Sequence, residues 1–287
     1  MANVSQAVAP SHPPAPSEPR DWAALPQDIL ITVFLKLGPR EIMLGAEFVC
    51  TAWRRVAVGE ALLWRRIDMG IDMISVLHPA TRAMARAALD RSAGQCEALW
   101  GSCDSEMLLY LVGRYASPST EAPCLKSLHL STFDGSQVFV AVLNKLPVLE
   151  DLEVSPLLLK CSTDNFLESV CQACPLLRKL RIRFCAVEYY YGDDWMRKEI
   201  IGTFTRMSEL RSLELLSYYL TAEGLTDILD HCPVLEDLYI TGCFDGIMDA
   251  ELYAKCAKVK KLTLPYSSDE AEYYWDVYNE HSSDDEF

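Results

Sequence analysis

The chain has 287 residues, 50% of them apolar and 23% charged, which is an ordinary balance for one or two globular domains. Its 41 acidic and 26 basic side chains give a net charge of −15, which disfavours binding to nucleic acid or to an anionic membrane surface. No signal peptide or transmembrane helix is predicted, because the chain lacks both a basic start with an apolar run and a sufficiently long apolar stretch.

The predicted elements begin after a Pro-, Ala- and Ser-rich arm at residues 1–20, which is expected to be disordered. Residues 21–68 are rich in apolar side chains and predict three or four short helices. The first of these helices carries its apolar residues on one face: Ile29, Leu30, Val33, Phe34 and Leu37. A segment this short and this apolar is expected to cover its surface with another protein or with the adjoining part of the chain.

A helical linker is predicted at residues 69–94, and residues 95–266 are periodic. The phrase L-x-x-L-x-L begins at Leu125, Leu149, Leu177, Leu210, Leu235 and Val259, with a degenerate earlier copy around Cys96–Trp100. The intervals are 24, 28, 33, 25 and 24 residues, most of them in the range of leucine-rich repeats. Each phrase ends as an alternating strand, and helical stretches such as the one after Thr221 lie between phrases. Stacked strand–helix units predict a solenoid of about six or seven repeats.

The chain ends in an acidic tail at residues 267–287, which has eight acidic side chains and no Lys or Arg. The main interpretation is a solvated tail. Its aromatic residues Tyr273, Tyr274, Trp275 and Tyr278 leave a docking segment as the alternative.

Two motifs resemble known families. Cys174-x-x-Leu177-x-x-Leu180-x-Ile182-x-x-Cys185, with a second copy from Cys232 to Cys243, resembles the cysteine-containing subtype of leucine-rich repeat. The segments LPQDILITVFLKL from Leu25 and FVCTAWRRVAVGEALLWRRIDM from Phe48 resemble an F-box. The expected fold is therefore α/β: a small helical F-box followed by a repeat solenoid, with parallel strands on its inner face and helices outside. The combination resembles the short plant F-box proteins.

The resemblance implies a function. F-boxes bind a Skp-family adaptor, which links them to a cullin-RING ubiquitin ligase, while the repeats hold a protein substrate for ubiquitination and degradation. Seven residues that match the motif would contribute to the adaptor interface: Leu25, Pro26, Ile29, Leu30, Phe34, Val49 and Trp53. The alternative for some of them is packing within the small core of the F-box itself.

Substrate contacts are expected on the inner face, where the polar residues between the leucines point. The candidates are Lys179, Arg181, Arg183, Glu214 and Tyr239. A basic row beside acidic rows has two interpretations: a cross-strand charge ladder, or a surface that recognises a charged peptide.

Enzyme chemistry and cofactors are not predicted. Cys171 and Cys174 form the one C-x-x-C, without the second pair that a zinc site needs, and the 11 cysteines have no disulfide-like framework. Free thiols in the nucleus or cytoplasm are expected. Besides the ligase substrate receptor, two alternatives remain: a repeat scaffold that acts outside a ligase, and a receptor for a small ligand.

Overall fold

The computed structural model describes residues 21–70, 79–115, 124–133, 137–156, 166–183 and 206–267. Its α-helices are α1 (Gln27–Leu37), α2 (Pro39–Leu44), α3 (Thr51–Gly59), α4 (Pro79–Arg91), α5 (Ser105–Tyr115), α6 (Gln137–Leu143), α7 (Phe166–Ala173), α8 (Ala222–His231) and α9 (Ala250–Cys256). Its strands are β1 (Arg66–Asp68), β2 (Ala98–Gly101), β3 (Ser127–Phe133), β4 (Asp151–Pro156), β5 (Lys179–Arg183), β6 (Ser212–Thr221), β7 (Asp237–Asp245), β8 (Lys261–Thr263) and β9 (Tyr266–Ser267).

The amino-terminal segment folds into short helices because glycine and proline interrupt it. Helix α1 ends at Gly38, whose φ of 88° is a conformation that side chains rarely adopt, and Pro39 occupies the first turn of α2. A second break at Gly45 separates α2 from a 3-10 turn at Ala46–Phe48. The segment thus contains the expected set of short helices.

The strands form one parallel sheet in the order β1 to β8, and β9 also pairs with β7. Adjacent strands align their leucines in register, so that Leu128 pairs with Leu152 and Leu152 with Leu180. These side chains are at most 1% exposed, in a core that they share with helix residues such as Leu225. The architecture is therefore a repeat solenoid in which the leucines bury one face of the sheet.

Every one of the six phrases folds as expected, since strands β3 to β8 each begin two residues after the first position of a phrase. The degenerate copy corresponds to β2. Thr221 caps α8, where its Oγ1 accepts a hydrogen bond from the Gly224 N–H at 3.0 Å. The local spacing was thus sufficient to place these repeats.

The amino-terminal segment and the repeats are joined through the sheet. Strand β1 lies within the predicted F-box range 21–68, yet it pairs with β2 and is the first strand of the solenoid sheet. The predicted linker at 69–94 contains α4, which contacts α5, β1 and the 3-10 turn at Ala61–Trp64. The helical segment and the repeats therefore share one sheet and one core. The physical reason is that the apolar residue Ile67 of β1 is buried beneath α2 and α4.

The predicted arm at 1–20 lies outside the described residues, as do 268–287 of the predicted tail and 184–205 within the longest repeat interval. In the part of the chain that the structure describes, no helix has the length and apolar character needed to cross a membrane.

Candidate functional site

Large apolar side chains are exposed mainly in the amino-terminal segment. Among the described residues, ten of 17 exposed large apolar side chains belong to it. They are Trp22, Ile29, Val33, Leu35, Leu37, Leu44, Phe48, Val49, Val58 and Leu62. Exposed apolar surface at this density is typical of a protein–protein interface.

The apolar face of helix α1 is only partly covered by the core. Leu30 and Phe34 point into the core and are 2% and 0% exposed, and the Phe34 ring packs edge-on against Trp53 with centroids 5.6 Å apart. Ile29 and Val33 lie beside them on the helix and remain 47% and 36% exposed. The small core covers one part of the apolar face and leaves an apolar stripe exposed.

The predicted adaptor residues accordingly divide into three groups. Pro26, Ile29 and Val49 are exposed, while Leu25 and Trp53 are partly buried. Leu30 and Phe34 are buried, which favours the alternative that they pack within the small core of the F-box. The interface role of the exposed residues stays a prediction.

Two further apolar residues of this segment are exposed and were not among the predicted adaptor residues. Leu44 and Phe48 are 61% and 66% exposed, next to the buried residues Ile42 and Met43. Gly45 ends α2, but Ala46 and Glu47 directly after it are buried, so this glycine alone does not mark Leu44 and Phe48 as exposed.

The polar face of the sheet carries the predicted substrate residues. The strand register places His129, Glu153, Arg181, Glu214 and Tyr239 side by side on β3 to β7. These positions alternate with the buried leucines, so their side chains project from the opposite face. The register therefore brings together Arg181, Glu214 and Tyr239 as expected.

Arg181 is held between two carboxylates. Its guanidinium donates to both Glu214 oxygens, with an Nη2–Oε1 distance of 2.6 Å, and to Glu153 Oε2 at 2.9 Å. The hydrogen bond to Glu214 raises the pKa of Arg181, outweighing the opposing effect of desolvation. A side chain with this many charge-assisted hydrogen bonds is fixed in place, and the cross-strand ladder is therefore present in the structure.

The ladder continues on either side of Arg181. Arg183 Nη2 lies 3.2 Å from Glu153 Oε1, and the ring of His129 lies 3.1 Å from Asp151 Oδ1. Burial by itself raises the pKa of Asp151, but its hydrogen bond with His129 and the charge of Lys179 bring that pKa below its usual range. Charges on this face are thus largely neutralised by their neighbours.

Three predicted substrate residues keep more accessible side chains. Lys179 is exposed, Arg183 has 49% of its side chain exposed, and Tyr239 is 43% exposed. Arg181 and Glu214 are bound mainly to each other. Binding of a substrate by this face stays a prediction, and the accessible positions are where it is best tested.

The described cysteines are free, and Cys171 and Cys174 of the C-x-x-C are both buried. Within the described ranges, no group of three or more His, Cys, Asp or Glu side chains is arranged to hold a metal ion.

Comparison with known proteins supports both halves of the fold. Residues 22–70 match the family model "F-box-like". The chain is 32% identical to the F-box/LRR-repeat protein 22 of Arabidopsis thaliana over 260 residues, covering 86% of this chain and 78% of that protein. It is 31% identical to the F-box protein SKIP19 of the same plant, covering 88% and 80%. The match to F-box/LRR-repeat protein 23 is 32% identical and covers 88% of this chain, but it spans only 55% of that relative.

Proposed function

Because the chain belongs to the F-box/LRR-repeat family, we propose that it is the substrate-recognition subunit of a Skp-cullin-F-box ubiquitin ligase. The F-box would bind a Skp-family adaptor and, through it, the cullin-RING subunits. The repeats would bind a target protein for ubiquitination and degradation. The chain itself would contribute no catalytic group, since ubiquitin transfer would be performed by the other subunits.

The observation that carries this proposal is the exposed apolar surface of the segment that matches the F-box. Ile29, Phe48 and Val49 are each about half exposed or more, and they lie within residues 22–70. Apolar side chains at the centre of an interface supply most of its binding energy. A partner that covers this surface would remove it from water and anchor the chain to the ligase.

The target-binding half of the proposal is supported by the polar face of the sheet. Its strands present a rigid array of alternating charges, with an exposed aromatic residue at Tyr239. The accessible side chains Lys179, Arg183 and Tyr239 lie on β5 and β7, and this spread favours an extended segment of a protein over a small ligand.

Adaptor binding is the first experiment. We expect the full chain to form a one-to-one complex with a Skp-family adaptor, and Ile29→Ala/Val49→Ala to weaken the complex at least about tenfold by isothermal titration calorimetry. The matched control is Leu109→Ala/Leu176→Ala, which removes two exposed apolar side chains from the repeat region. Binding should be unchanged in this control.

A folded wild-type chain that does not bind the adaptor would refute the proposal and favour a scaffold that acts outside a ligase. Equal losses in both double variants would instead place the interface elsewhere.

Target recognition needs a separate experiment. We expect Lys179→Glu/Arg183→Glu to stabilise the target in cells, measured as its half-life, while leaving adaptor binding intact. The matched control is Lys126→Glu/Arg211→Glu, which reverses two exposed charges just before the strands. An unchanged target half-life in the first variant would argue against this face as the recognition surface.

A further inference from the structure

The carboxyl-terminal end of the solenoid exposes a residue that every preceding repeat buries. Leu262 of β8 is in register with Leu238 of β7, and it continues the row of core leucines. It is 38% exposed, whereas the equivalent leucines of β3 to β7 are at most 1% exposed. In the described residues, β8 pairs through its backbone with β7 alone. The core layer formed by the last repeat is therefore only partly shielded from solvent by the described residues.

The two ends of the sheet differ. At the amino-terminal end, Ile67 of β1 is 0% exposed, because α2 and α4 pack against this strand. At the other end, α9 belongs to the same repeat as β8, and its Tyr253 is 60% exposed. Repeat arrays need a terminal element that covers the last core layer. The F-box helices supply it at the amino-terminal end, and none of the described residues supplies it at the other.

A cluster of basic residues accompanies the uncovered end. Lys258, Lys260 and Lys261 are all exposed, and the latter two keep 69% and 83% of their side chains exposed although they pair with Glu236 and Asp237. An acidic segment would therefore be favoured here over a basic one.

The chain itself contains a segment of this chemistry immediately downstream. Residues 268–287, which lie outside the described ranges, include Tyr273-Tyr274-Trp275-Asp276-Val277-Tyr278, with Asp269, Glu270 and Glu272 before it. Aromatic and β-branched residues favour strands. Five residues, 268–272, separate Ser267 from Tyr273. They allow a span of roughly 20 Å, enough for a turn back across the distance of about 5 Å between neighbouring strands.

We propose that residues 273–278 pair with β8 as a further strand and lay their aromatic side chains over Leu262, with the neighbouring carboxylates beside Lys258, Lys260 and Lys261. The Lys261 N–H donates to Glu236 O on the β7 side. Since N–H groups alternate along a strand, the N–H of Leu262 points away from β7 and is the group that the added strand would bind.

Amide hydrogen exchange of the full chain tests this pairing. We expect Tyr273→Ser/Trp275→Ser/Tyr278→Ser to speed exchange at Leu262 at least about tenfold, while β5 keeps its protection as an internal check on folding. The matched control is Phe287→Ser, an apolar residue of the same tail outside the proposed strand, and it should leave exchange at Leu262 unchanged. A synthetic peptide of residues 268–287 should restore protection at Leu262 in the triple variant.

Charge reversal provides a second measurement that does not alter the tail. Lys258→Glu/Lys260→Glu/Lys261→Glu should also speed exchange at Leu262. When these three changes are added to the tail variant, they should weaken its binding to the peptide of residues 268–287. Unchanged exchange in both variants would overturn the proposal. So would a chain that self-associates in solution and loses Leu262 protection on dilution, because a second copy would then cover this end. Protection that arises only when the adaptor or a target is bound would equally overturn it in favour of that partner.

Discussion

At the scale of single residues, burial controls the chemistry of the cysteines. Desolvation raises the pKa of Cys103 to about 12, with a smaller contribution from the charge of Asp104, and it also raises the pKa of Cys174 and Cys232 to about 12. The thiolate is the reactive form, so these side chains are protonated and inert at neutral pH. The leucine-rich core thus explains why Cys174 of the C-x-x-C behaves as a packing residue.

Thiol labelling tests this interpretation. On brief treatment of the native chain with iodoacetamide at pH 8, we expect Cys103, Cys174 and Cys232 to stay unmodified, read by mass spectrometry of peptides. Cys50 is only partly buried and should be modified first. Labelling in urea is the control, because unfolding should make all four react. Rapid modification of Cys174 in the native chain would contradict the assignment.

The sequence of α1 predicted its apolar face but not which residues of that face are buried. The spacing of Ile29, Leu30, Val33 and Phe34 predicted one apolar face, and such a face exists. The sequence could not divide that face into core and surface, because the division depends on where Trp53 of α3 packs. The sequence therefore left both an interface role and packing within the F-box core open for Leu30 and Phe34, and their burial favours packing.

At the scale of secondary-structure elements, the charge ladder across β4, β5 and β6 should contribute to stability. Arg181 serves two partly buried carboxylates, whereas Arg211 forms one pair, with Glu236, and has 55% of its side chain exposed. We expect Arg181→Met to lower the free energy of unfolding by about 1–2 kcal/mol, since it removes the partner of Glu214 and one of the partners of Glu153. Urea unfolding measures this change.

Arg211→Met is the matched control, and its expected cost is below about 1 kcal/mol because exposed pairs are screened by water. Equal losses in the two variants would show that the ladder adds no more than an ordinary surface pair.

Replacing either of two glycines by alanine should change the stability of the chain in opposite directions. Gly246 follows β7 with a φ of 135°, and a Cβ there would lie 2.7 Å from the Cβ of Ala222 at the start of α8. Gly246→Ala should therefore destabilise the chain. Gly113 is an exposed residue of α5, where a Cβ meets no atom within 4 Å. Gly113→Ala should stabilise by up to about 1 kcal/mol, since alanine favours the helix. Thermal unfolding of both variants checks the sign of each change.

The repeat elements show what sequence periodicity can predict and what it cannot. The six phrases located β3 to β8 because each buries leucines at a fixed spacing. Strand β1 escaped detection because it has three residues and a single buried side chain, Ile67, inside a segment of helical character. The polar rows were predicted from alternation, but the geometry that binds Arg181 to two carboxylates depends on side-chain conformations that periodicity does not specify.

At the scale of the whole molecule, the F-box segment and the repeats form one structural unit. One core cluster extends from Leu30 to Cys256, and β1 joins the F-box helices to the sheet. Glu47 and Arg91 reinforce this junction between the turn after α2 and the end of α4, with an Nη1–Oε2 distance of 2.7 Å. The exposed apolar surface and the polar face therefore keep a fixed position relative to each other, which is what the proposed function requires.

The Glu47–Arg91 ion pair should stabilise both the F-box segment and the repeats. Glu47 is 6% exposed, so Arg91→Met would leave a buried charge without its partner, and we expect a loss of about 3–5 kcal/mol in the free energy of unfolding. The double variant Arg91→Met/Glu47→Leu should recover much of that loss, because it removes the unpaired charge. The guanidinium of Arg91 also lies 4.9 Å from the ring of Trp64, which limits the recovery.

Hydrogen exchange distinguishes one unit from two. If β1 joins the F-box helices to the repeats as the shared sheet requires, Arg91→Met should speed exchange in β2 as well as in α3, while Arg211→Met should change neither. Faster exchange confined to α3 would mean that the F-box opens independently of the solenoid. In that case, the two proposed binding surfaces would move relative to each other, and the proposed function would need other contacts to position the target.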